Sequence, residues 1–353
     1  MSERTVIRVS TERGSDFAGL MREVRQAGLL ERRKVYYTGK IGVTAALLAA
    51  GLTAFGLLGD SWWQLAVAGY LGLVFVQIGY VGHDAGHRQI LRSGRSNALI
   101  GLIHANLLIG LSFDWWVDKH NRHHAHPNDA GRDPDVGAGA LVFTAGQARE
   151  RRGLRRLAVR YQAWYFFPLL SLEGLNLHVA SVRSLFARRR PRLVEAGLLA
   201  LHFAAYAGVI LYVLPPTKAV AFVAVNQALF GIYLGCAFAP NHKGMPDLTD
   251  QDAADFLRRQ VLTSRNVRGG PVTDWVLGGL NYQIEHHLFP NMPRPNLKRA
   301  QRLVRTYCAD RGVAYRECSA LESYSQALRH LQTVGRAVGA TGTPPAVATR
   351  NIG

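Results

Sequence analysis

Cysteine is scarce in this chain. Cys236, Cys308 and Cys318 are the only three in 353 residues, too few for a disulfide framework and at no metal-binding spacing, so reduced thiols are expected. Acidic residues are also short, 24 against 42 lysines and arginines, which leaves a formal charge of +18. There is no HExxH zinc-protease signature, no glycine-rich dinucleotide fingerprint, no cysteine pattern for an iron–sulfur cluster and no haem-binding module. A zinc protease is excluded, and any electrons a reaction needs are expected from outside these residues. The first 40 residues are polar and basic, so a cleavable signal peptide is not expected.

Apolar residues make up 48% of the chain, and their distribution matters more than their number. Four stretches, Ile41 to Leu58, Ser61 to Tyr80, Leu193 to Leu214 and Ala219 to Ala239, are long enough to cross a hydrocarbon core roughly 30 Å thick. They form two pairs, joined by Gly59-Asp60 and by Pro215-Pro216-Thr217-Lys218, so each pair reads as a helical hairpin. Of the lysines and arginines, nine fall in residues 1–40, 17 in 81–192 and 15 in 241–353. By the positive-inside tendency these blocks, and both termini, are cytoplasmic. The arginines flank apolar segments, where anionic lipid headgroups are a better partner than nucleic acid. The expected fold class is therefore an all-α, multi-pass integral membrane protein with four transmembrane helices in two hairpins, placed in the cytoplasmic membrane.

Residues 1–40 are expected to form a cytoplasmic arm in which Phe17, Leu20, Met21 and Val24 mark an amphipathic helix, lying at the interface or packing on the protein. Residues 41–331 form the membrane domain, with spans near 41–58, 61–80, 193–214 and 219–239. Residues 332–353, rich in Gly and Pro, read as a disordered tail. Ala98 to Phe113 is only 16 residues long, and Leu157 to Ala180 carries Arg160, Glu173 and His178, so both read as re-entrant or interfacial. From Asn241 onward the polar sequence suggests a cytoplasmic helical cap. Arg151 to Arg156 and Arg188 to Arg190 read as membrane-surface charge.

Thirteen histidines are present, and seven of them fall in three compact motifs. HDAGH spans His83 to His87, an i, i+4 pair that shares one helical face. HNRHH spans His120 to His124, where His120 faces both His123 and His124, and QIEHH spans Gln283 to His287 in the same arrangement. Imidazole binds iron, copper, nickel and zinc alike, but so many converging rings are too many for one four-coordinate zinc and suit two metal ions. No cysteine lies near a cluster, and iron is preferred. A shared site requires all three motifs on one side of the bilayer, and the four-span arrangement puts them there.

These motifs resemble the membrane fatty acid desaturase superfamily, whose pattern is HxxxH or HxxxxH, then HxxHH, then HxxHH or QxxHH. The wider strings GHDAGHRQ, KHNRHHAHPN and NYQIEHHLFPNMPR are similar to its acyl-lipid and front-end branch. The resemblance implies that His83, His87, His120, His123, His124, His286 and His287 hold two non-haem iron ions, with His242 as a further ligand. Gln283 departs from the histidine of the HxxHH branch; its amide binds iron, holds a metal-bound water or orients substrate. Asp84, Glu285 and Asn128 are expected beside the ligands, the first two hydrogen-bonded to imidazoles or engaged in surface ion pairs. His104, His178 and His202 read as buried, satisfied histidines.

The resemblance further implies desaturation of a fatty acyl chain, carried as acyl-CoA, on acyl-carrier protein or in a phospholipid, with dioxygen as co-substrate. Two electrons per turnover would come from a ferredoxin or a flavin-linked reductase, an acidic form of which the basic face could dock. A hydroxylase, ketolase or epoxygenase could use the same oxidant. A membrane metal transporter could also carry many histidines, but would place them within its spans.

Overall fold

An apolar segment in a bilayer has no water to satisfy its backbone, so it closes its own hydrogen bonds as a helix. The computed structural model describes residues 15–187, 192–246, 248 and 250–338. It is mainly helical, and among these residues four helices are long and apolar enough to cross a membrane. Helix α1 (Asp16–Gln26) precedes the first hairpin, α2 (Lys34–Leu58) and α3 (Gln64–Gly86). Then come α4 (Gly94–Gly101), a π-helical turn over Leu102–Leu108, and α5 (Phe113–Ala125). Four short to medium helices follow: α6 (Ala145–Arg149), α7 (Gly153–Arg160), α8 (Phe166–Leu170) and α9 (Glu173–Ala187). The second hairpin is α10 (Leu193–Val213) and α11 (Pro216–Phe238). The remaining helices are α12 (Asp250–Ala254), α13 (Phe256–Leu262), α14 (Pro271–Val276), α15 (Gln283–Leu288), α16 (Arg294–Asp310) and α17 (Ala320–Arg336). Two-residue strands β1 (Asn266–Val267) and β2 (Glu317–Cys318) pair in parallel.

Helix α3 is the centre of the bundle. Its apolar stretch is 72% buried, against 17% for α2 and α10, whose outer faces show Val43, Leu52, Leu201 and Leu211. Close approach of α11 depends on a small residue, since a Cβ on Gly72 would lie 2.8 Å from the Asn226 carbonyl oxygen. At the hairpin turns Lys218 pairs with Asp60 at 2.7 Å, tying the two hairpins together at the end away from the histidines.

The stretch Gly94–Leu108 meets α5 at 113°, a sharp bend that is compatible with a broken span as well as with the re-entrant form expected of Ala98 to Phe113. Gly110 makes the bend with φ of 68°, a left-handed conformation that a side chain would strain. The bend is held from α10: the Glu195 carboxylate accepts from Ser112 Oγ at 2.6 Å, Asp114 N at 3.2 Å and Asn106 Nδ2 at 3.3 Å. Ser112 and Asp114 sit at the start of α5, where a carboxylate also opposes the helix dipole favourably, and Asn106 comes from the π-helical turn before it. His178 and His202 bind the Ile109 and Leu107 carbonyls and His104 binds that of Ile100, so all three are satisfied buried histidines. Leu157 to Ala180 is broken among α7, α8 and α9 and forms no single span.

Beyond the bundle α1, α13, α15 and α16 enclose a second core in which Leu20 and Val24 are fully buried. The amphipathic face of α1 therefore packs on the protein rather than on lipid. The expected boundary of the tail at residue 332 is corrected: α17 continues to Arg336 because Val334 and Val338 pack on Val142 and Val159. The remainder of that tail, the first 14 residues of the arm and Arg188 to Arg190 lie outside the described residues.

Candidate metal centre

Each ligand-bearing segment is placed by a local device. His83 closes the last turn of α3 and His87 is its C-cap. In α5 the Ser112 hydroxyl caps Trp115 N at 3.2 Å, and helical spacing then turns His120, His123 and His124 inward. His242 follows a 3-10 turn, Ala239–Asn241, at the end of α11. Helix α15 carries His286 and His287, and its Ile284 N–H is capped by Asn266 Oδ1 at 2.9 Å.

All eight histidines meet in one buried cluster at one end of the bundle. His83, His87, His120 and His286 offer nitrogen atoms within 4.8 Å of one another, as do His123, His242 and His287. His124 lies between the two groups, its ring centroid 4.7 Å from His87 and 4.2 Å from His287. Burial and neighbouring imidazoles pull His87, His286 and His287 well below the ordinary imidazole value. His242 falls to about 3, chiefly by burial. These four rings are therefore neutral at pH 7, the form that ligates a metal.

The orientation of the rings tests whether a cation fits. His123 Nδ1 meets Asp133 Oδ2 at 2.9 Å, His242 Nδ1 meets the Thr263 carbonyl at 3.0 Å, and His83 Nδ1 meets Asp84 Oδ1 at 3.1 Å. His287 Nδ1 meets Gln260 Oε1 at 2.9 Å, and that amide is oriented by its own bond to the His124 carbonyl. Each acceptor fixes the proton on Nδ1 and leaves Nε2 with a bare lone pair. The Nε2 atoms of His83, His87, His286 and His287 have no partner, and those of His123 and His242 face each other at 3.3 Å. Buried lone pairs aimed at one another are costly, and metal ions between them remove the cost. The donor set fits two metal ions.

Asp84 meets the His83 ring and is itself held by Arg294 at 2.6 Å and Tyr37 at 3.1 Å. The Glu285 carboxylate instead binds Asn266 Nδ2 and the Tyr315 hydroxyl, both at 2.7 Å, because its position on α15 turns it away from the ligand face. Asn128 holds the His242 and Thr263 carbonyls at 3.1 and 3.2 Å rather than any ring. Gln283 reaches the second group with its amide nitrogen, Nε2 donating to the His242 Nε2 lone pair at 2.9 Å while its Oε1 accepts from Asn241 Nδ2 at 3.2 Å. His126 ends α5 as its C-cap. Sequence reasoning missed Asp133, Gln260 and Thr263. Only Asp133 left a signal, a carboxylate ten residues beyond His123 in a turn-rich stretch.

A cavity of about 280 Å³ opens against His83, His120 and Trp116, the last stacked on His120 at 4.5 Å. Its walls are mainly apolar, including Ile109, Leu111, Phe230 and Leu234, and its charged lining is Lys119, Asp135, Glu173 and Lys243.

A family model describing fatty acid desaturases matches residues 20–319. The chain is 31% identical over 320 residues to the acyl-lipid (9-3)-desaturase of Physcomitrium patens, with 88% of this chain and 60% of that protein covered. It is 31% identical over 338 residues to the Delta(8)-fatty-acid desaturase of Euglena gracilis, covering 92% and 80%. It is 30% identical over 344 residues to the Delta(6)-fatty-acid desaturase fat-3 of Caenorhabditis elegans, covering 92% and 76%.

Proposed function

The chain belongs to the fatty acid desaturase family, and from that premise we propose that it introduces a C=C bond into the acyl chain of a lipid, at the expense of dioxygen. In the overall balance two neighbouring methylenes lose one hydrogen each, and with dioxygen, two electrons and two protons the products are an alkene and two waters. An alkyl methylene has no acidic proton, so a general base cannot begin this reaction. Two iron ions, held by His83, His87, His120, His123, His124, His242, His286 and His287, supply the activation of dioxygen when bound.

The protein's own part is to hold and orient. Asp84, Asp133, Thr263 and Gln260 keep Nδ1 protonated and Nε2 free. The apolar walls exclude water and receive the acyl chain beside His83 and His120. The observation that carries this reading is the convergence of unpartnered imidazole nitrogens on a site whose neighbouring cavity is apolar. The acyl-lipid name of one relative supports a lipid-linked substrate over a free acid. Acyl-CoA and acyl-carrier protein are the competing carriers. The electrons come from a ferredoxin or a flavin-linked reductase. The histidine end, the cap and both termini face the cytoplasm, as the basic loops favour.

Expression in a host that makes no unsaturated fatty acids, followed by mass spectrometry with double-bond localisation, tests the proposal. New monoenes that vanish in His287→Ala support it. Hydroxylated products would replace desaturation by oxygen insertion.

A further inference from the structure

Arg265 is among the largest fully buried side chains, 1% exposed, yet none of its hydrogen-bond partners among the described residues is a carboxylate. A buried guanidinium is costly unless its five donors are matched, and here they are shared between the backbone on either side of His242 and the side chains and backbone of α17. Its Nε donates to the Pro240 carbonyl at 2.7 Å, its Nη2 to the Lys243 carbonyl, and its backbone N to the Asn241 carbonyl at 3.0 Å. These three residues surround His242. The same guanidinium is pinned to α17, with Nε shared with Ser323 Oγ at 2.8 Å, Nη1 donating to Gln326 Oε1 at 2.6 Å and Nη2 to the Ser323 carbonyl at 3.3 Å. Two residues earlier the Thr263 carbonyl fixes the His242 ring through Nδ1.

We infer that Arg265 is a positioning residue for one metal subsite alone, the group His123, His242 and His287, because it sets the backbone that presents His242. His242 is the one ligand outside the three motifs, on a non-helical segment that follows a 3-10 turn, and no helix of its own holds it in place. The other group, His83, His87, His120 and His286, stands on α3, α5 and α15, which Arg265 does not touch through any hydrogen bond. Loss of the guanidinium therefore unbalances the pair: one subsite keeps its affinity and the other weakens.

The inference rests on the metal-centre reading, and the test separates the two. Metal-free full-length protein in phosphatidylcholine nanodiscs is titrated with Co²⁺ and followed by its visible absorption. The wild type takes up two equivalents. In Arg265→Met one equivalent binds as in the wild type and the other about 10–100-fold more weakly, the range for loss of a supporting contact. Arg265→Lys, which keeps the charge and part of the contacts, recovers part of that affinity. Equal weakening of both subsites, or of neither, overturns the inference. If Arg265→Met does not fold, Ser323→Ala removes a single anchor of the guanidinium and is expected to give a smaller but still one-sided shift; a symmetric shift or none overturns it equally. A wild type that binds no Co²⁺ would instead remove the metal centre itself.

Discussion

Replacing Asp133 by Asn keeps shape and volume but turns one of two acceptors into a donor, and the surroundings have no room for it. Oδ2 accepts from His123 Nδ1 at 2.9 Å and Asn128 N at 2.8 Å, while Oδ1 accepts from Asp135 N at 2.8 Å. The least harmful orientation keeps the amide oxygen towards His123 and sets the new N–H₂ against the Asp135 N–H. That leaves a buried donor unmatched, which costs roughly 1–3 kcal/mol of folding stability. The charge that made His123 a stronger ligand is lost in any orientation. Loss of such a partner lowers metal affinity about 10–100-fold, or about 1.4–2.8 kcal/mol. Competition between the protein and a chromophoric chelator measures the affinity, and thermal unfolding of the metal-free form measures the stability separately. A variant that holds both metals with wild-type affinity would refute the role given to Asp133.

Other outcomes follow from the same geometry. His120→Ala and His287→Ala abolish desaturation and lower bound iron while leaving membrane insertion intact, as metal analysis of purified protein will show; full activity in either would remove the site assignment. Gln283→Ala keeps more iron than His286→Ala, because an amide is a weaker ligand than an imidazole and this one reaches only the His242 side. Cysteines introduced at Ser93, Asp129 and Asn291, in a background without native cysteine, are shielded from an impermeant thiol reagent in intact cells, whereas one at Asp60 reacts; external labelling at Asp129 alone would defeat the four-span arrangement. Below about pH 6.5 the unfolded chain binds more protons than the native state, whose His87, His286 and His287 lie well below the ordinary value and whose His242 titrates at about 3. Metal-free protein therefore loses stability as pH falls through this window, by up to ~1.4 kcal/mol per pH unit per ring. An unfolding midpoint that stays level from pH 7.5 to about 4.5 would contradict the buried neutral rings.

What the sequence made legible is what repeats along the chain. The spans follow from apolar length, and the first two motifs follow from helical spacing, since α3 runs up to its C-cap at His87 and α5 continues through His124. His242 could be reached only through family resemblance, because nothing around NHKGM has a period. Glu285 was misplaced for a related reason: on a six-residue helix its direction depends on Asn266 and Tyr315, 19 and 30 residues away. Gln260 and Thr263 gave no signal, since they act through one amide and one carbonyl that acquire meaning only when α13 is laid against α5 and α15. Arg265 reads in sequence as one more cation of a basic chain.

The grip of Glu195 on the start of α5 also has a temporal side. Ser112 and Glu195 are 83 residues apart, so when α5 leaves the ribosome the carboxylate that anchors its first turn has not been made. Until the second hairpin is inserted, the apolar stretch from Ala98 presents itself to the translocon as a short, indecisive segment. The helix bearing His120, His123 and His124 settles only when α10 arrives, and His242 and α15 are synthesised later still. The cluster is thus complete only once residues from the last third of the chain have been made.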